Sequence, residues 1–191
     1  MLWQALIFLI TTLGGLFALA LLLRFMLQLL RAPARNPLSA FLAAITDFVV
    51  RPARRIIPGW WAVDWATLVL CWLTEVLQIW LVLEIKGYEL GPAVGMALTA
   101  LALIATVEIV KLVLYVVMAA VILQAVLSWV NPYSSIAPLV DRVARPFLRP
   151  FQRVIPIIAN VDLSPLAALL ACQLLLTVPI AWAEAAVSRL L

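Results

Sequence analysis

Apolar positions dominate the chain in four long runs, separated by stretches rich in arginine and proline. Leu2 to Leu30 is apolar apart from Gln4, two threonines, Arg24 and Gln28. About 20 such residues cross the hydrocarbon of a bilayer, so this is a predicted first span. Arg31, Pro33, Arg35 and Pro37 end it, because proline supplies no backbone donor and disfavours helix in the residue before it. Residues 38 to 50 then place Leu38, Phe41, Leu42, Ile45, Phe48 and Val49 on one helical face, with Asn36 and Pro37 as N-cap and first helical residue. Thirteen residues are too few to span. The predicted element is an amphipathic helix in the interface, its apolar stripe toward lipid or toward the bundle. A second span is predicted over about 65–83, with Trp60, Trp61 and Trp65 at headgroup depth. After a polar turn from Glu84 to Pro92, residues 93–130 form an uninterrupted helical pattern, about 57 Å long at 1.5 Å per residue and nearly twice the hydrocarbon thickness. The last span is predicted over about 163–182.

A repeat organises these elements. Arg51, Pro52, Arg55, Ile57, Pro58, Val63 and Asp64 recur 98 positions later as Arg149, Pro150, Arg153, Ile155, Pro156, Val161 and Asp162. The apolar stripe recurs too, as Ile136, Leu139, Val140, Val143 and Phe147, giving a second amphipathic helix over 136–148. Span one maps onto about 102–130, which leaves 93–101 as a separate connecting helix. Glu108 and Lys111, three residues apart, fit a position near the outer boundary. The expected fold is all-α and polytopic. Four transmembrane helices form two parallel repeats, residues 1–92 and 93–191, each with an amphipathic helix and a basic loop.

Composition narrows the functional classes. At 67% hydrophobic residues and a mean hydropathy of +1.18, the chain reads as an integral membrane protein. The N-terminus lacks a basic leader and its apolar run is too long for a cleaved signal, so it reads as span one. Of 13 Lys and Arg, five arginines fall in the first interhelical segment and four in the second. The positive-inside bias then places both basic loops in the cytoplasm and both termini outside, in a bacterial inner membrane. Such clustering fits anionic lipid headgroups rather than nucleic acid. There is no His, and Cys71 and Cys172 have no metal-type spacing, so no metal, cofactor or catalytic set is expected.

The candidate residues are therefore polar groups in apolar surroundings. Arg51, Arg54, Arg55, Arg149 and Arg153 either finish an interfacial helix, where cations favour its dipole and reach lipid phosphates, or form a paired anion- or partner-binding face. Arg24 and Glu75 lie within spans at depths that let long side chains meet, and their repeat counterparts are Gln124 and Gln173. The expectation is an ion pair in one copy and an amide pair in the other, as structural ties or as polar steps in a solute pathway. Asp64 and Asp162 are placed to cap the helices that follow them.

These residues resemble the YggT family of small bacterial and plastid membrane proteins. The repeated motif is S-W-V-N-P, here Ser128 to Pro132, then an interfacial helix, R-P-x-x-R-x-I-P and an aspartate. The first copy departs from it, reading Q-L-L-R-A-P at the corresponding turn. The resemblance implies a four-span, two-repeat inner-membrane protein whose relatives are associated with osmotic-stress tolerance, with cell division and nucleoid organisation, and in plastids with haem attachment to a b-type cytochrome. Two functions follow. One is a non-enzymatic scaffold or assembly factor that presents its arginines to membrane-protein partners, a second copy or anionic lipid. The other is a small ion or solute conduit, or a regulator of ion flux, under osmotic stress.

Overall fold

A computed structural model describes residues 1–32, 36–59, 63–88, 94–131, 133–155 and 162–187. Expectations for Pro33, Arg35, Trp60, Trp61, Glu89 to Pro92, Ala93, Pro132, Pro156, Val161 and Arg189 lie outside the described residues. Among the described residues seven α-helices follow in order: α1 (Leu2–Leu29), α2 (Pro37–Ile56), α3 (Trp65–Ile85), α4 (Val94–Val130), α5 (Ala137–Val154), α6 (Ser164–Leu175) and α7 (Ala181–Val187). A π-helical turn, Leu176–Ile180, joins α6 to α7 around Pro179, which has no N–H for the regular ladder. Four helical stretches are long and apolar enough to cross a membrane: Leu2–Leu29, Trp65–Ile85, Gly95–Val130 and Ser164–Val187. The chain is a multi-pass membrane protein.

Each copy is a span, an amphipathic helix and a returning span packed on one another, and α3 against α4 joins the copies. The most extensive packing is α1 on α3, where small residues let the backbones approach. Ala18 is fully buried there and its carbonyl accepts the Cys71 thiol at 3.5 Å. A side chain on Gly14 would meet the Gln78 amide oxygen at 2.1 Å, so only glycine fits beside Gln78 as it stands. Between copies, the Trp72 indole N–H donates to Thr106 at 3.1 Å.

Both amphipathic helices stand at the same end of the bundle. Leu27 near the end of α1 and Leu38 at the start of α2 line one apolar cavity with Leu139, Val140 and Val143 of α5. This is the geometry that parallel repeats require.

Three features differ from the sequence expectation. First, α2 and α5 run through the arginine blocks, with Pro52, Pro146 and Pro150 inside them, so the basic residues occupy final helical turns. The stop comes at the second proline of the motif. Ile57 and Ile155, each before a proline, are extended at φ −110° and −97°. Second, 94–101 continues α4 as one helix, exposed at Met96 and Leu98 and buried at Ala100 and Leu101. Third, α1 closes with Ala32 N–H on Leu27 C=O and Arg31 N–H on Gln28 C=O, the paired bonds that normally use glycine. Arg31 takes φ +50° there, whereas α3 closes in the same way on Gly87 at φ +75°.

Candidate arginine-lined interface site

Helix α2 has three faces. Leu42, Thr46 and Val50 recur every fourth residue and are buried against the bundle. Phe41, Ile45 and Phe48 are exposed on a second, apolar face, with Phe48 reaching Phe17 at 5.8 Å between ring centroids. Asp47, Arg51, Arg54 and Arg55 share the third. Helix α5 repeats the plan with Leu139, Val143 and Leu148 buried, and Asp141, Arg145, Arg149, Gln152 and Arg153 on the polar side.

The polar faces are wired to the spans. Arg24 of α1 donates through Nη1 to Thr46 Oγ1 at 2.6 Å and Asp47 Oδ1 at 2.8 Å. Arg51 holds the other Asp47 oxygen at 2.7 Å. The hydrogen bond from Arg24 outweighs the cost of partial burial, and the charges of both arginines add to it, so the Asp47 carboxyl lies below its ordinary pKa. Arg54 grips Asp64 through Nη2 and through Nε at 3.3 Å, and reaches Gln28 at 3.2 Å. Asp64 is the N-cap of α3, accepting from the Thr67 N–H and hydroxyl. In the second copy Gln124 donates to Asp141 at 3.0 Å, Arg145 pairs with Asp141, and Gln152 donates to Asp162 at 3.2 Å. Asp162 accepts the Ser164 N–H at 2.8 Å, at the start of α6.

Arg51, Arg54, Arg55, Arg149 and Arg153 are all exposed, and of these Arg54 is the one that reaches the buried Asp64. Neither Arg55 nor Arg153 has a carboxylate partner among the described residues. Two clefts open beside these faces. That of the first copy, about 470 Å³, is lined by Arg24, Leu27, Gln28, Ser39, Leu42 and Arg54 among others. That of the second, about 300 Å³, is lined by Gln124, Asp141, Arg145, Leu148, Arg149 and Gln152.

The expected tie between Arg24 and Glu75 is corrected, because Arg24 spends its charge on Asp47. Rotation about the helix axis turns Arg24 toward α2. Glu75 is 6% exposed, has no hydrogen bond among the described residues, and has Glu108 and Lys111 as its charged neighbours. Lys111 pairs with Glu108 at 3.0 Å and with Glu184 of α7. Gln124 and Gln173 do not meet either: Gln124 binds Asp141, and Gln173 is exposed. Sequence reasoning missed Asp47 and Asp141, although their spacing of four residues from Arg51 and Arg145 is the readable sign of a helical ion pair. Among the described residues no group of three His, Cys, Asp or Glu could hold a metal ion.

The model of the family described as CCB3/YggT matches the chain twice, over residues 3–85 and 103–183. The chain belongs to the CCB3/YggT family. Its relatives include an uncharacterized protein of Pseudomonas aeruginosa, 40% identical over 90% of this chain and 86% of the relative. One from Vibrio alginolyticus is 32% identical over 87% and 88%, and the Escherichia coli K12 protein named YggT is 27% identical over 85% and 82%. No solved structure matches. The two YggT matches cover α1 to α3 and most of α4 to α7, so the unmatched residues 86–102 include the first turns of α4. In the second YggT copy the motif turn is built by Ser134 N–H on Asn131 C=O at 3.2 Å; in the first, the positive-φ Arg31 takes its place.

Proposed function

We propose that the protein is a non-enzymatic scaffold or assembly factor of the bacterial inner membrane, with its arginine end in the cytoplasm as a docking platform for membrane-protein partners. One observation carries this reading: Arg51, Arg55, Arg149 and Arg153 are exposed on two amphipathic helices at one end of the bundle, and Arg55 and Arg153 have no carboxylate partner among the described residues. Guanidinium groups grip carboxylates through two parallel hydrogen bonds, so an acidic surface on a partner fits this face. The excess of cations in these segments favours the cytoplasmic side. The process served is osmotic-stress response or the organisation of division and other membrane complexes.

The second reading is an ion conduit, favoured by buried Glu75 beside the Glu108, Lys111 and Glu184 cluster, since ionisable groups at membrane depth are costly. It needs a polar path. The two polar clefts lie at the arginine end, and the cavity between α1, α4 and α5 is apolar, lined by leucine, valine and alanine.

Photocrosslinking in cells from positions 56 and 154, exposed beside the arginines, tests the platform, along with ion flux in vesicles of the purified protein. Discrete crosslinked membrane proteins, lost when Arg51, Arg55, Arg149 and Arg153 are all changed to Lys, are expected without flux. Protein-dependent flux with no crosslinked partner sinks the platform and favours the conduit.

A further inference from the structure

The duplication supplies an internal control for two of the arginines. Arg24 ties α1 to α2 through Asp47, and at the corresponding place Gln124 ties α4 to α5 through Asp141. Arg54 ties α2 to the Asp64 start of α3, and Gln152 ties α5 to Asp162 in the same way. A neutral amide therefore suffices for each structural tie. The first copy places a permanent positive charge at both positions.

Those charges face the same cleft. Arg24 and Arg54 are the charged residues on its described lining, and the carboxylates that hold them, Asp47 and Asp64, are not part of that lining. Donors remain as well. Arg24 uses only Nη1 and Arg54 only Nε and Nη2, so Nε and Nη2 of the first and Nη1 of the second have no partner among the described residues. Ser39 adds a hydroxyl, and Leu27 and Leu42 give the cleft an apolar floor. The cleft sits where α1 ends and the amphipathic α2 begins, at headgroup depth for a helix of this kind. A cationic rim over an apolar floor suits an anion that carries hydrocarbon. The second-copy cleft also has two arginines, Arg145 and Arg149, on its wall, but there the Asp141 carboxylate and Gln124 Oε1, buried and without a partner among the described residues, line it too, and both repel phosphate.

We propose that the first-copy cleft is a phosphate-binding site filled from the bilayer by the headgroup of an anionic phospholipid, with Arg24, Arg54 and Ser39 as its donors. This is independent of the docking platform, which uses other arginines. Guanidinium pairs with phosphate at short, charge-assisted hydrogen bonds, and the apolar floor rewards a lipid over the free ion.

The test uses the full-length protein in detergent, with native mass spectrometry read against phosphatidylglycerol, phosphatidylethanolamine of the same chains, and inorganic phosphate. The R24Q/R54Q variant installs the second copy's own residues, and R55Q/R153Q removes the same charge from the exposed face. Wild type is expected to retain one phosphatidylglycerol in preference to phosphatidylethanolamine. R24Q/R54Q should lose that preference by about tenfold or more, and R55Q/R153Q should stay within about twofold of wild type. If R24Q/R54Q does not fold, R54Q alone should weaken retention by about threefold or more. Equal loss in R55Q/R153Q, or full retention in the folded R24Q/R54Q or R54Q protein, overturns the site. Inorganic phosphate that binds wild type as strongly as the lipid does overturns the headgroup as its occupant.

Discussion

Asp64 is 4% exposed, and burial alone would raise the pKa of its carboxyl. Hydrogen bonds from Arg54 and Thr67, with the charge of Arg54, outweigh that and hold it below the ordinary carboxylate range. A carboxyl depressed in the folded state stabilises the fold at pH above its unfolded value, near 4, and that contribution is lost as pH falls through the lower folded value. Asp47, held first by its bond from Arg24, acts in the same direction. Chemical unfolding in detergent should therefore show stability falling below about pH 4, and Asp64→Asn should cost about 2 kcal/mol at neutral pH and shrink the acid loss. An unchanged midpoint and an unchanged acid limb in the Asp64→Asn protein would contradict this account of α3. Asp64 was legible as a cap from its place before an apolar run. Its grip by Arg54 was not, because nine intervening residues hide how the two come together.

At the scale of elements, α2 and α5 are amphipathic in a stricter sense than their sequence periodicity conveys. The stripe divides into a face against the bundle and a face away from it, and periodicity cannot separate these because both are apolar. Leu148 is 2% exposed and Phe48 is 70% exposed. Leu148→Ala should cost about 2–4 kcal/mol through the cavity it leaves, and Phe48→Ala less than about 1 kcal/mol. Thermal unfolding of the two variants in the same detergent decides; equal losses would mean that the assigned faces are wrong. The repeated R-P-x-x-R-x-I-P block revealed the duplication but not its helical state, since a proline late in an exposed helix is tolerated where the residue before a second proline is not. Likewise the length of α4 was visible, yet mapping repeat on repeat cut it at 101 where the structure runs through.

The whole molecule is two copies that kept one architecture and diverged in electrostatics. The first uses arginine where the second uses glutamine, and its spans pack closely through Gly14 and Ala18. The second carries the π-helical turn that precedes α7, where Glu184 pairs with Lys111. Four spans, two repeats and two basic segments were legible because long apolar runs and a 98-residue offset are one-dimensional signals. The azimuth of Arg24, Gln124 and Glu75 was not, because it depends on which neighbouring helix each face meets. The cluster of Glu75, Glu108, Lys111 and Glu184 draws residues from both copies, so it had no counterpart for a repeat to reveal.

All of this requires the arginine faces of α2 and α5 to lie on one side of the lipid. Cysteine placed at 55 and at 153 reads that directly, since the native Cys71 and Cys172 are buried. With a membrane-impermeant maleimide, both positions should be protected in intact spheroplasts and both labelled in inverted vesicles; labelling of one position from each side would contradict the account.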